Sequence, residues 1–405
     1  MLRHVLRLIW NRRRANGLVV VEIGGAFVVT FVVLALSIDL WLKQQRPLGF
    51  DYEDVWAVEL EVEWGEGAGR VASIRTLEDV IAALEALPGV EAVHAMQNAP
   101  FSRGRSGGYY GSSEADVFDT DQNRMTAGAL QALGARLIDG RWFGTEDAGQ
   151  AYTAVIVNRD FVARAFGPGE SPLGRNIMHV PAEYRALVPQ REYRIVGVIE
   201  DFRMQGDFFR WVPFAAIRYD FDNTPEQPLG DIVVKVQPGT NAAFEETIVE
   251  TIKAIAPGWV VTVTPLERLR DVLRAETLAP IKAGATFGAF LLAMVVLGLI
   301  GVLWQDVVRR TQEIGVRRAV GASSAAVRRQ IVLEMLAVAS LGIAVGATIA
   351  LQFPLLELVE QIDWSSTPPA IFLASVMIFA LAAMSALYPS WLVSRRDPAD
   401  ALRYE

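Results

Sequence analysis

Long apolar runs alternate with one long stretch of mixed patterning along this chain. The first apolar run covers residues 17–42. As a helix it would reach about 39 Å at ~1.5 Å per residue, enough to cross a bilayer with some tilt. It is too long for a cleavable signal peptide, and no small-x-small cleavage site precedes Lys43. The second run is 280–304, the third 330–353, closed by Pro354, and the fourth 370–393. Each is long enough to span.

Between the first two runs the period changes. Val55-Trp-Ala-Val-Glu-Leu-Glu-Val alternates like a strand with one buried face. Leu77, Val80, Ile81, Leu84 and Leu87 share a helical face; Pro88-Gly89 ends it, and Val90-Glu-Ala-Val opens another strand. Residues 101–113, rich in glycine and serine, read as a mobile loop. Further strands are expected at 152–158, 193–199, 232–236 and 260–263, and helices at 159–166 and 242–255. The expected fold class is an α-helical membrane protein with four transmembrane helices, plus a large α+β extracytoplasmic domain, 43–279, inserted between helices 1 and 2.

Charge gives the orientation. Arg3, Arg7, Arg12, Arg13 and Arg14 precede the first run, Arg309, Arg310, Arg317, Arg318, Arg328 and Arg329 separate the second from the third, and Arg395, Arg396 and Arg403 follow the fourth. The loop 354–369 carries Glu357, Glu360 and Asp363 and no Lys or Arg. The basic segments therefore share the cytoplasmic side, with both termini inside. Within residues 1–16, Leu2, Val5, Leu6 and Ile9 share one face, as in a helix lying in the cytoplasmic interface. The cytoplasmic segments are then 1–16, 305–329 and the tail 394–405. Hydrophobic residues make up 52% of the chain, as membrane spans require, and the net charge of −8 argues against nucleic acid as a partner.

Catalytic chemistry is hard to find. With no cysteine there is no thiol nucleophile, disulfide or zinc-thiolate site, and His4, His94 and His179 are scattered. Glu200-Asp201 is an adjacent carboxylate pair of the usual solvated kind. Ser102, Ser106, Ser112 and Ser113 have no evident histidine partner, and no metalloprotease motif or nucleophile elbow occurs. Phe208, Phe209, Trp211 and Phe214 either line a partner or substrate surface, or pack a core or a membrane-facing rim.

Three sets of residues, in order, resemble the MacB/FtsX-type permease family of ABC systems. The first is Leu84-Glu-Ala-Leu-Pro-Gly-Val-Glu-Ala-Val. The second joins Leu137-Ile-Asp-Gly-Arg-Trp-Phe, Thr153-Ala-Val-Ile-Val-Asn-Arg-Asp-Phe-Val, Phe166-Gly, Pro172-Leu-Gly-Arg and Tyr193-Arg-Ile-Val-Gly-Val-Ile-Glu-Asp-Phe. The third is Arg309-Arg-Thr-Gln-Glu-Ile-Gly-Val-Arg-Arg-Ala-Val-Gly-Ala-Ser, and the tail Arg395-Arg-Asp-Pro-Ala-Asp-Ala-Leu-Arg-Tyr-Glu resembles the family's C-terminus. The resemblance covers nearly the whole chain.

The resemblance implies a periplasmic domain of two subdomains, a bacterial inner membrane location, and a pair of permeases (a second copy or a related chain) driven by a cytoplasmic ABC ATPase dimer. No Gly-x-x-x-x-Gly-Lys-Ser/Thr loop occurs here, so ATP and magnesium are expected in the ATPase partner and no cofactor in this chain. Some relatives carry a fused ATPase; the short segment before the first span is expected to leave no room for one. The loop 305–329 becomes the coupling element. Glu313 and Arg317 can pair at helical spacing, Ile314 adds apolar contact, Gly321 can end the turn, and Gly315, Arg318, Ala322 and Ser323 complete the signature. From charge alone, the same loop would read as bound to anionic lipid.

Small residues at Gly284 and Gly288 in the second span, and at Gly342 and Gly346 in the third, suit close helix contact. Glu22 is a carboxylate inside the first span, either in a structural contact or in a proton or ion relay. The expected function is a permease that transmits ATP-driven motion to its periplasmic domain and expels or hands over an antibiotic, peptide or lipid-linked cargo, with a periplasmic adaptor and outer-membrane channel as further partners. The alternative is an FtsX-like signalling protein that activates a periplasmic or cell-wall partner without moving cargo. A membrane-anchored hydrolase is disfavoured by the missing catalytic constellation.

Overall fold

The computed structural model of the protein describes residues 13–62, 64, 68–113, 117–167, 169–179, 192–210, 212–221, 229–309, 323–359 and 361–394. The segment before Arg13 expected to lie in the interface, the residues expected to couple to an ATPase (Glu313, Ile314, Gly315, Arg317, Arg318, Gly321 and Ala322), Trp211, and the tail after Ser394 lie outside the described residues. The chain divides into a helical unit, Met1–Leu42 with Thr277–Glu405, and a sheet-based unit, Lys43–Glu276.

Four helices carry the apolar runs: α1 (Arg13–Gln44), α6 (Leu266–Arg309), α7 (Ser324–Ala350) and α9 (Thr367–Ser394), with the short α8 (Gln352–Leu355) between the last two. Each long helix has the length and apolar content to cross a membrane. In α1, Val19, Ile23, Phe27 and Phe31 recur every four residues and are buried among Val295 and Leu299 of α6, Met335, Ala339 and Ile343 of α7, and the alanine row Ala370, Ala374, Ala382 and Ala386 of α9.

Helix boundaries differ from the sequence expectation. Helix α6 starts at Leu266, well before Pro280, which sits inside it. A proline removes one backbone bond, and the apolar row Leu266, Leu269 and Leu273, packed in the core of the sheet unit, carries the helix back across that gap. Helix α7 stops at Ala350; Pro354 is buried inside α8, and the apolar span ends at Leu355. Helix α9 opens on Thr367, Pro368 and Pro369, where the first turn has no use for their missing N–H groups.

The sheet unit has β1 (Val55–Glu61), α2 (Ala68–Glu85), β2 (Val90–Met96), β3 (Gly107–Gly111), β4 (Phe118–Met125), α3 (Ala129–Ala132), β5 (Leu137–Gly140), β6 (Tyr152–Asn158), α4 (Arg159–Ala165), β7 (Asn176–His179), β8 (Glu192–Ile199), β9 (Phe214–Arg218), β10 (Asp231–Val236), α5 (Ala243–Ile255) and β11 (Val260–Pro265). One sheet runs β11-β1-β10-β2-β4-β3-β7-β8-β6-β9, and β9 pairs back onto β4, closing a six-stranded ring. The four antiparallel strands β11, β1, β10 and β2 form a first lobe, and the ring, contributed by the chain between β2 and β10, forms a second. The lobes meet at Met96 opposite Met125.

Strand alternation decides where each side chain goes. Trp56, Val58, Leu60, Ile232 and Val234 face the helices α2 and α5, packing on Leu77, Val80, Leu84, Ile248 and Ile252. Val55, Ala57 and Val233 point the other way, into a core shared with the second lobe. Residues 101–113 are corrected: they hold strand β3, in which Tyr109 lies opposite Asp119 and Tyr110 is buried against Phe161 and Tyr193. Glycine is required there by packing, since a Cβ on Gly108 would lie 2.6 Å from the Tyr110 ring.

Candidate functional site

The chain leaves α1 through Gln44-Gln-Arg-Pro-Leu-Gly-Phe and returns to the membrane through the first turns of α6. Both stretches are gripped by one loop of the sheet unit, residues 202–209, which follows β8. Arg203 makes the first grip. Its Nη1 donates to the carbonyls of Lys43 (3.0 Å) and Arg46 (3.3 Å), and its Nη2 to those of Asp207 (2.7 Å) and Phe209 (3.3 Å). Its backbone N–H donates to Leu48 at 2.8 Å. Burial lowers the Arg203 guanidinium below its ordinary pKa, while the Asp207 charge opposes that shift. Gly49, at φ +80°, lets the connector lie directly on the Asp201 carbonyl, where a Cβ would collide.

Asp207 makes the second grip. Its carboxylate takes a bidentate pair from Arg270, Nε–Oδ2 at 2.9 Å and Nη2–Oδ1 at 2.8 Å, and a further contact from Arg274 at 3.3 Å. Burial pushes the carboxyl up, but the hydrogen bond and charge of Arg270, with the charges of Arg274 and Arg203, outweigh it and hold the group below the ordinary carboxylate value. Arg270 also lies over the Tyr52 ring at 4.3 Å. Apolar contacts follow the same route: Leu48 and Phe50 from one connector and Leu266, Leu269 and Leu273 from the other enter one core with Phe101, Phe202 and Phe214. The ion pair Arg103–Glu276 ties α6 once more to this unit. A cleft of about 580 Å³ opens beside the grip, lined by Gln44, Arg46, Tyr52, Glu200, Asp207 and Arg270.

Of the residues singled out from the sequence, Glu200 lines this cleft and Phe208 and Phe209 belong to the gripping loop, while the others sit elsewhere. Gly342 abuts Ile23, and Gly346 abuts Phe27; a Cβ would stand 2.6 Å and 2.7 Å from those side chains. Gly284 and Gly288 face Val33 and Val29 with ordinary room, 3.6 Å and 3.5 Å. The Glu22 carboxylate lies over Gly298 of α6, 2.9 Å from where a Cβ would be. Ser323 caps α7, its Oγ accepting from the Ala326 N–H at 3.2 Å. Glu200 accepts from Arg136 and Arg159, a structural arrangement. Phe214 is core, whereas Phe208 and Phe209 are half-buried beneath Arg274 and Arg105. Among the described residues no cluster of His, Asp or Glu is built to hold a metal. The residues of the grip, Arg203, Asp207, Arg270 and Arg274, were missed by the sequence reading, because a loop arginine and a loop aspartate carry no periodic signal.

The model of the MacB-like periplasmic core domain matches residues 23–251, and that of the FtsX-like permease C-terminal matches 285–398. The chain is 26% identical to "Macrolide export ATP-binding/permease protein MacB 1" of Aeromonas hydrophila, over 95% of this chain and 57% of that one. It is 24% identical to "Macrolide export ATP-binding/permease protein MacB" of Chromobacterium violaceum, over 97% and 58%. A "Probable syringafactin export ATP-binding/permease protein SyfD" of Pseudomonas syringae is 25% identical over 70% and 42%. The chain thus spans about half the length of the curated relatives it matches. The crystal structure of the periplasmic region of MacB from Actinobacillus actinomycetemcomitans covers 56% of this chain and 94% of its own, at 15% identity and a TM-score of 0.38. Since the first model alone takes in more than half of the residues and the second follows it in order, the chain belongs to the MacB/FtsX-type permease family.

Proposed function

We propose that this chain is the permease of an ABC-type exporter in the bacterial inner membrane, with the Lys43–Glu276 unit in the periplasm and both termini in the cytoplasm. A separate ATPase dimer binds ATP and magnesium and engages the 305–329 loop. Its closure moves that loop, and α6 carries the displacement to the residues at its own start. There Arg270 and Arg274 hold Asp207, and Arg203 holds the connector that follows α1, so one loop of the periplasmic unit feels both membrane connections. The unit then expels or hands over a cargo already outside the bilayer.

The observation that carries this reading is the matching of a MacB-like periplasmic core domain and an FtsX-like permease segment, in that order, on four helices able to span. The relatives named as export ATP-binding/permease proteins support an export role for the assembled system. The test is co-expression with a candidate ABC ATPase from the same genome, measuring co-purification and ATP turnover, with and without Glu313→Ala plus Arg317→Ala. Co-purification that the double substitution weakens, with stimulated turnover lost, supports the proposal. A chain that binds no ATPase, and on which the substitutions have no effect, sinks it.

A further inference from the structure

The segment joining α7 to α9 is unlike an aqueous turn. Leu355, Leu356, Leu358 and Trp364 are 64%, 64%, 57% and 56% exposed, while Pro354 is buried and Ile362 is buried in the bundle core, anchoring the segment. A loop in water is built from Gly, Pro, Asn, Asp and Ser, and a run of exposed leucines there would be an aggregation liability.

We propose that this tip lies in the headgroup–acyl boundary of the leaflet where α7 and α9 emerge, with Leu355, Leu356 and Leu358 among the lipid chains and Trp364 at the interface level. Continuity identifies the occupant. Leu341, Val345 and Ile349 form an exposed row at four-residue spacing that climbs α7 toward the tip, and Phe372, Leu373 and Val376 form its counterpart on α9. On bilayer-spanning helices such rows face lipid, and the exposed leucines of the tip follow them, with the exposed Gln352 and Glu357 interspersed at headgroup level. Tryptophan at the edge of an apolar band is the usual interfacial anchor.

The backbone permits this position. Amides without regular helix are tolerated near hydrocarbon only when bonded. Leu356 N–H donates to Gln352 (3.0 Å), Leu358 to Phe353 (3.1 Å) and Ile362 to Val359 (3.0 Å). Asp363 accepts from the N–H groups of Ser365 (3.0 Å) and Ser366 (3.1 Å), starting α9. Charge selects the kind of surface. No Lys or Arg occurs between residues 330 and 394, and Glu357 and Asp363 are exposed. The tip has no cation with which to recruit anionic lipid, so its attachment is apolar and should be indifferent to salt. The proposal rests on the span assignment and not on what the chain moves.

Because the chain has no cysteine, single labels are unambiguous. Leu356→Cys, and Ala151→Cys on the exposed surface of the sheet unit, would each carry a fluorophore in the full chain, reconstituted in nanodiscs of phosphatidylethanolamine and phosphatidylcholine. Quenching is read with phosphatidylcholine spin-labelled near the top of its acyl chain and, separately, with aqueous iodide. The expected ratio of lipid to iodide quenching is several-fold higher at 356 than at 151, and unchanged between low and high salt. Equal ratios would place the tip in water and overturn the proposal. A label at 356 shielded from both quenchers would put a protein partner there and overturn it equally.

Discussion

Asp207 and Arg270 meet as a bidentate pair across 63 residues of sequence, with both groups largely withdrawn from solvent. Arg274 leans on the same carboxylate. Breaking such a pair from one side leaves buried charge uncompensated, at a cost of about 3–5 kcal/mol. Asp207→Ala should therefore lower the unfolding temperature of the sheet unit sharply, read by near-UV circular dichroism of the detergent-solubilised chain. Replacing both partners by leucine should cost less than Asp207→Ala alone. Because the carboxyl is held below its ordinary value in the folded chain, its contribution is present above pH ~3.9 and is lost as pH falls through the lower folded value. The gap between wild type and Asp207→Asn should then close below about pH 4. A gap that stays constant down to pH 3 would show that the pair contributes through packing instead.

Asp231 behaves in the opposite sense. It sits on β10 directly opposite Glu59 of β1, and its Oδ2 accepts from the Ala99 N–H at 2.6 Å. Burial lifts its pKa to about 7, the Ala99 bond opposes that, and Glu59 adds to it. The folded chain keeps a proton that the unfolded chain gives up from about pH 4. The stability this supplies is complete below that pH and is lost as pH rises through about 7. Asp231→Asn keeps an acceptor for Ala99 and removes the titration. It should match wild type near pH 4 and exceed it above pH 7, by on the order of 4 kcal/mol. Denaturant unfolding at pH 4, 6 and 8 checks this, and a difference independent of pH would refute it.

In the helical unit the four glycines divide into two classes. At Gly342 and Gly346 a methyl group would stand inside the contact distance of Ile23 and Phe27, whereas at Gly284 and Gly288 it would meet Val33 and Val29 at ordinary separation. Gly346→Val should cost about 1–3 kcal/mol through overpacking and reduce the yield of monodisperse protein in detergent. Gly284→Ala should be near neutral by the same readout. If both behave alike, close approach of α1 to α7 is not what holds the bundle together.

The sequence disclosed most where patterning is local. Residues 17–42 and 370–393 read as spans because apolar content alone marks a helix in lipid, and α1 and α9 enclose both runs. Strand β1 was legible because Trp56, Val58 and Leu60 alternate toward one core. Strand β4 was not: Phe118-Asp-Thr-Asp-Gln-Asn-Arg-Met looks like a polar loop, yet Thr120 and Asn123 are buried, and Asn123 bonds the backbone of Gln97 and Asn98. Strand β3 was hidden by its glycines, which read as flexibility and instead make room for Tyr110 and Gln122. The grip around Arg203 was invisible for a different reason. Its partners Lys43 and Arg46 lie 160 and 157 residues away, and contacts of that separation follow from topology, which no local period encodes.

Arg203 offers the sharpest test of whether that grip carries motion. Its guanidinium serves four backbone carbonyls, one in the last turn of α1, one on the connector after it and two on its own loop. Methionine would fill much of the volume and serve none of them, at a cost of about 2–3 kcal/mol; lysine would keep the charge and reach fewer carbonyls. If the loop relays displacement, Arg203→Met in the complex with its ATPase should hydrolyse ATP at a rate near wild type. An Ala151→Cys fluorophore on the sheet unit should lose most of its ATP-dependent signal, and Arg203→Lys should restore part of it. Loss of hydrolysis and signal together would mean that the substitution disrupts assembly. Retention of both would mean that Arg203 holds the connector without transmitting anything, leaving Asp207 and α6 as the mechanical route.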